Sequence, residues 1–166
     1  MAAPVAVDGH HRIPGRNPPL PALLPADARG PRRVRALAQS IACEIHPLNN
    51  LRVLKYLSND LGVSEDAKNT WYRHWVRDGL ESFERHLAAQ RQAVGAAFYC
   101  HGDTPTLADC CLVPQIFNGK RFDCDFDGLP RTMAAFDACM EAGGFPEGAA
   151  LGLPRLRSLT GRHSNA

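Results

Sequence analysis

The sequence predicts an all-α fold, a helical bundle, on three observations. Apolar residues recur every three or four positions through successive stretches between Val34 and Met140. No run alternates apolar and polar residues as a half-buried strand would. Neither an internal repeat nor a glycine-rich phosphate loop interrupts the helical pattern.

The bounds are those of one ordinary domain. A chain of 166 residues with 45% hydrophobic content has enough apolar material for a single core. A net charge of +2 is too small to argue for nucleic acid or a membrane surface. Arg29, Arg32, Arg33 and Arg35 cluster without interleaved aromatics, so they read as a solvated helix face. The 6 cysteines form no Cys-x-x-Cys and no zinc-ligand spacing, and no metal is expected. With no membrane-length apolar run and no leader pattern, the thiols read as reduced and the protein as cytoplasmic.

Residues 1–30 carry Pro4, Pro14, Pro18, Pro19, Pro21 and Pro25 with no periodicity, the composition of an irregular or disordered arm. Pro31 suits a first helical position, and Val34, Leu37, Ala38, Ile41 and Ile45 begin a long apolar face that runs on through Leu57. A second helix is expected from Ser64 or Glu65, with Trp71, Trp75, Val76, Leu80, Phe83 and Leu87 inward. Two tryptophans one turn apart read as core packing. Thr106 and Asp109 have capping-box spacing, with Asp in place of the usual Glu, and Asp109 reads as a buried cap rather than a catalytic carboxylate. The helix after them, Leu107 to Phe117 and beyond, is apolar nearly all round, as a bundle's centre must be. Pro114 should bend it. A last helix covers about Arg131 to Glu141, and residues 143–166 read as a mobile tail.

The chemistry-bearing stretch is Ile45-His46-Pro47-Leu48-Asn49-Asn50-Leu51-Arg52. On a helix His46 and Asn50 share one face, and Asn49 and Arg52 another. Pro47 should kink the helix, free a carbonyl and open a polar notch. The Arg52 fork suits a carboxylate, and His46 and Asn50 are candidate additional donors. The alternative is a buried proline kink whose polar groups satisfy the freed backbone, and spacing alone favours that alternative.

From Leu23-Leu24-Pro25-Ala26-Asp27 to Met140 the sequence resembles the helical C-terminal domain of zeta-class glutathione transferases, a family that includes maleylacetoacetate and maleylpyruvate isomerases. The run Ile41 to Leu54, Trp71-Tyr72-Arg73-His74-Trp75, Gly102 to Asp109, Leu112-Val113-Pro114-Gln115 and Arg121-Phe122 carry the resemblance. It implies a helical bundle of the glutathione transferase C-terminal type over residues 31–142, supplying the wall that faces the second substrate. It implies glutathione as cofactor, a dicarboxylate substrate and a homodimer. His46, Asn50, Arg52 and Arg121 match positions lining the glutathione and substrate pocket, Arg121 looking like the arginine that holds a substrate carboxylate. The implied reaction adds a thiolate to a cis double bond, allows rotation and expels the thiolate, and guanidinium groups would stabilise the enolate between those steps.

The thioredoxin-like domain of that family, with its Ser-Ser-Cys motif, is missing, so no catalytic residue is expected in this chain, and alone it is expected to be inactive. The codons for residues 4–19, read one base over, permit LLQSMAIIEYLEETHP. That string resembles the end of the thioredoxin-like domain, including its Gln-Ser pair. The expectation is a base insertion or deletion between the codons for Pro19 and Leu23, with Met1 a product of the reading frame. Upstream nucleotides that encode no Ser-Ser-Cys domain in the shifted frame would refute it. The rival expectation is a catalytically inactive helical module that acts at most in dimerisation.

Overall fold

A computed structural model gives the architecture. It describes residues 22–94 and 97–142, and only the backbone of 90–94. The expectations for residues 1–21 and for the tail from 143 lie outside the described residues. All regular structure among the described residues is helical.

Helix α1 spans Gly30–Gln39, opened by Pro31 in its first turn. The Asp27 carboxylate caps it, accepting from the amides of Arg29 and Gly30 at 2.9 and 2.6 Å. The Gly30 hydrogen bond, then that of Arg29, holds this carboxyl below the usual range. Residues ahead of α1 are irregular but packed. Leu23 and Leu24 lie against the core, and the Leu23 carbonyl accepts from Leu107 N at 2.9 Å.

The expected long bent helix is a chain of short segments instead. A π-helical turn, Ser40–Ile45, leads into α2 (His46–Asn49), then α3 (Leu51–Lys55), and a second π-helical turn, Tyr56–Asp60, follows. The break is at Asn50, whose backbone is extended (φ −72°, ψ 161°), and not at Pro47. Pro47 sits in the first turn of α2, where an amide N–H has no intrahelical partner to lose. The Asn50 side chain makes the break affordable in hydrogen bonds. Its Oδ1 accepts from Val53 N at 3.1 Å and its Nδ2 donates to the Pro47 carbonyl at 3.2 Å.

Helix α4 is the longest, Glu65–Val94. Helices α5 (Leu107–Arg121) and α6 (Pro130–Glu141) complete the bundle. Helix α5 is its centre: Ala108, Leu112, Val113 and Ile116 are fully buried. Val34 of α1, Val76, Leu80 and Phe83 of α4, and Ala135, Phe136 and Cys139 of α6 close around it. Each large side chain so buried contributes roughly 1.5–3 kcal/mol against exposure.

Two devices set how α4 lies on its neighbours. Gly79 faces Ile45 so closely that an added Cβ would overlap Cγ1 and Cδ1 of that residue. Glu84 reaches α6 and accepts from the amide and hydroxyl of Thr132, both at 2.8 Å, and from Arg131 N at 3.1 Å. It thereby caps a helix that has no cap of its own.

Candidate functional site

The site is built on the segmented arm between the two π-helical turns. The first turn ends at Ile45, immediately before His46, and the second begins at Tyr56, immediately after Lys55. π-Helical turns occur often at functional positions, because the extra residue re-aims the side chains that follow. His46 is exposed, and its amide donates to the Ile41 carbonyl. Asn50 is half-buried, with both ends of its amide engaged by its own segment.

Arg52 is exposed on α3 and lines an open groove of about 470 Å³ with Leu51, Lys55, Tyr56 and Asp60. Arg52, Lys55 and Tyr56 stand at i, i+3 and i+4 across the end of α3 and the start of the second π-helical turn, so they share one face. Neither cation makes an ion pair among the described residues. Sequence reasoning named Arg52 and missed Lys55 and Tyr56, though their spacing from Arg52 was a readable signal.

Arg121 is exposed at the end of α5. It is not among the residues lining the Arg52 groove, and neither are His46 and Asn50. The start of α4 is what links the two regions. Trp71 donates its indole N–H to the Leu48 carbonyl of α2 at 2.8 Å. The next residue, Tyr72, stacks on Phe122 with ring centroids 3.8 Å apart, and Arg73 Nε donates to the Phe122 carbonyl at 2.7 Å. Burial, then the nearby Cys124, pushes the Tyr72 phenol up, while Arg121 opposes that shift.

Asp109 is fully buried and fully used. Its Oδ2 accepts from the amide and hydroxyl of Thr106 at 2.8 and 2.7 Å, and its Oδ1 accepts from Cys100 N at 2.8 Å. Both oxygens thus anchor the start of α5. The thiols of Cys111, Cys124 and Cys139 are held protonated at neutral pH. Burial first, then the Asp109 carboxylate, pushes Cys139 up to about 12, and burial takes Cys111 and Cys124 to about 11. Among the described residues no group of His, Cys, Asp or Glu is placed to hold a metal, and no helix is long and apolar enough to cross a membrane.

No family model matches the chain. Individual proteins do. Maleylpyruvate isomerase of a Ralstonia species is 45% identical over 136 residues, covering 82% of this chain and 63% of that one. A probable maleylacetoacetate isomerase of Vibrio cholerae is 46% identical over 112 residues, or 68% and 50% of the two chains. The solved holo structure of a bacterial maleylpyruvate isomerase, described as a zeta-class glutathione transferase, superposes with a TM-score of 0.70 at 47% identity over 74% of this chain. The chain is homologous to the zeta-class glutathione transferases. It spans 57% of that solved zeta-class chain and about half to two thirds of the curated relatives it matches. A further relative, the maleylacetoacetate isomerase of Anaeromyxobacter dehalogenans, is 38% identical with a TM-score of 0.64, and its structure holds glutathione in the active site. In a second structure the same enzyme holds dicarboxyethyl glutathione and citrate there. This chain matches them as an all-helical domain of the glutathione transferase C-terminal type.

Proposed function

We propose that this chain is the substrate-side helical domain of a glutathione-dependent cis–trans isomerase acting on cis-diacids of the maleylacetoacetate or maleylpyruvate type, in cytoplasmic breakdown of aromatic compounds. The observation that carries the reading is the identity of 45% to a maleylpyruvate isomerase across 82% of the chain. The guanidinium of Arg52, exposed and without an ion pair among the described residues, supports it, since a planar fork suits a carboxylate.

The residues present fit glutathione in part. The exposed His46 is a donor for one of its carboxylates, but the protonated thiols and the occupied Asp109 offer nothing to activate its sulfur. When bound, glutathione supplies the thiol nucleophile. The helical domain's part is to hold and orient the diacid from the Arg52 groove and, with Arg121, to stabilise the negative charge that develops on the substrate oxygen. Asn50 acts through the backbone it caps. A thioredoxin-like domain, and a second subunit in a homodimer, would complete the site.

Retention on a glutathione column, together with isomerisation of maleylacetoacetate or maleylpyruvate, is the test. Failure of both favours the second reading, an inactive helical module that associates through its exposed arm. Leu51, Tyr56 and Leu61, each more than half exposed there, favour that second reading specifically.

A further inference from the structure

We propose that Lys55, with Tyr56 beside it, is a second anion-holding residue of the Arg52 groove, so that the groove grips both carboxylates of one diacid. The inference rests on the proposed function above and names which residues set the preference for a diacid.

The argument begins with placement. Arg52 and Lys55 are neighbours one turn apart on α3, with Cβ atoms about 5–6 Å from each other, a spacing that suits the two ends of a short diacid. Both line the same groove, and neither meets a carboxylate among the described residues. Two like charges on one helix face repel each other, and a dianion between them turns that repulsion into attraction. Tyr56 follows directly and is 54% exposed, and Leu51 at the other edge is 56% exposed. Their apolar surfaces give the carbon skeleton between the carboxylates something to rest on, and the Tyr56 hydroxyl is a further donor.

The switch from α to π winding at Tyr56 adds a second, independent observation. The turn that starts there closes with Leu61 N on the Tyr56 carbonyl at 3.1 Å. Asp60, the last residue of that turn, also lines the groove, and it makes no ion pair with Lys55 among the described residues.

The test is a titration of the isotope-labelled chain with maleate, propionate and S-methylglutathione, followed by NMR at constant ionic strength. Maleate should shift the resonances of Arg52, Lys55 and Tyr56. Lys55→Gln should weaken maleate binding about tenfold, Lys55→Arg should restore it, and propionate, with one carboxylate, should bind the wild type and Lys55→Gln alike. Maleate affinity unchanged in Lys55→Gln overturns the inference and leaves the isomerase reading standing. So does a groove that responds to S-methylglutathione and not to maleate. No maleate shift at these residues also overturns it, whatever the isomerase assay gives.

Discussion

The indole N–H of Trp71 donates to the carbonyl of Leu48 at 2.8 Å, which fastens the first turns of α4 to the segment that carries His46, Asn50 and Arg52. Trp71 also meets Trp75 edge-on, with centroids 5.6 Å apart. Its ring is therefore packing material, and its nitrogen is a tether. Trp71→Phe keeps most of the packing and removes the donor, leaving a partly buried carbonyl without that partner. A loss of about 1–3 kcal/mol is expected in urea unfolding, with faster amide exchange through residues 48–53. Unchanged exchange in that segment would show the tether to be idle.

Gly79→Ala should destabilise despite alanine's higher helix propensity, worth about 1 kcal/mol at an exposed position. The new methyl must share space with the Ile45 side chain, which is 1% exposed and has no room to move into. Overpacking of this kind costs about 1–3 kcal/mol. Ile45→Val in the Gly79→Ala background should recover part of the loss. Additivity of the two substitutions in a double-mutant cycle would contradict the contact.

Glu84 should give the fold an acid-sensitive component. Burial alone would raise its pKa, but the hydrogen bonds from Thr132 and Arg131 outweigh burial and hold it below the ordinary value of 4.5. Its carboxylate stabilisation is therefore fully present above that value and is lost as pH falls through the lower, folded-state pKa. Glu84→Gln should cost about 1.5–3 kcal/mol at pH 7 and flatten the acid limb of the stability profile. A variant whose stability falls with acid as steeply as the wild type's would assign that sensitivity to other groups.

Arg52→Ala and Arg121→Ala should each weaken substrate binding about ten- to a hundredfold in an enzyme completed with its thioredoxin-like domain, the range that loss of a charged hydrogen bond implies. If both variants keep the wild-type apparent affinity and turnover, neither arginine belongs to the site.

The chain on its own should associate. Leu51, Tyr56 and Leu61 are exposed along one arm, and Phe98 is 67% exposed elsewhere. Light scattering should find species larger than a monomer, reduced by Leu51→Ser with Leu61→Ser. A strictly monomeric wild type would contradict this.

Much of the bundle was legible because burial imposes a period. Val34, Leu37, Ala38 and Ile41 marked α1, and the near-continuous apolar run of α5 marked the centre, since only an enclosed helix tolerates it. The break was placed at Pro47 because proline removes a donor, yet in a first turn that loss is harmless. Asn50, a preferred capping residue with Val53 three positions on, was the better signal. The π-helical turns left no periodic trace, because one extra residue in a turn shifts the pattern without abolishing it. Of the site, Arg52 was legible by its type. Lys55 and Tyr56 were not singled out, because a lysine and a tyrosine on a helix are ordinary until a shared concavity joins them to the arginine.

The two π-helical turns carry one further consequence. Each holds about one amino acid more than regular coiling would need, and one position along an α-helix is a rotation of about 100°. A single-codon deletion inside Ser40–Ile45 would therefore re-wind that turn and swing everything downstream to a new azimuth, Arg52 included. The arm's aim is thus encoded by a count of residues as well as by their identity, and relatives that kept every side chain but lost one spacer would point their cations at the wrong neighbour.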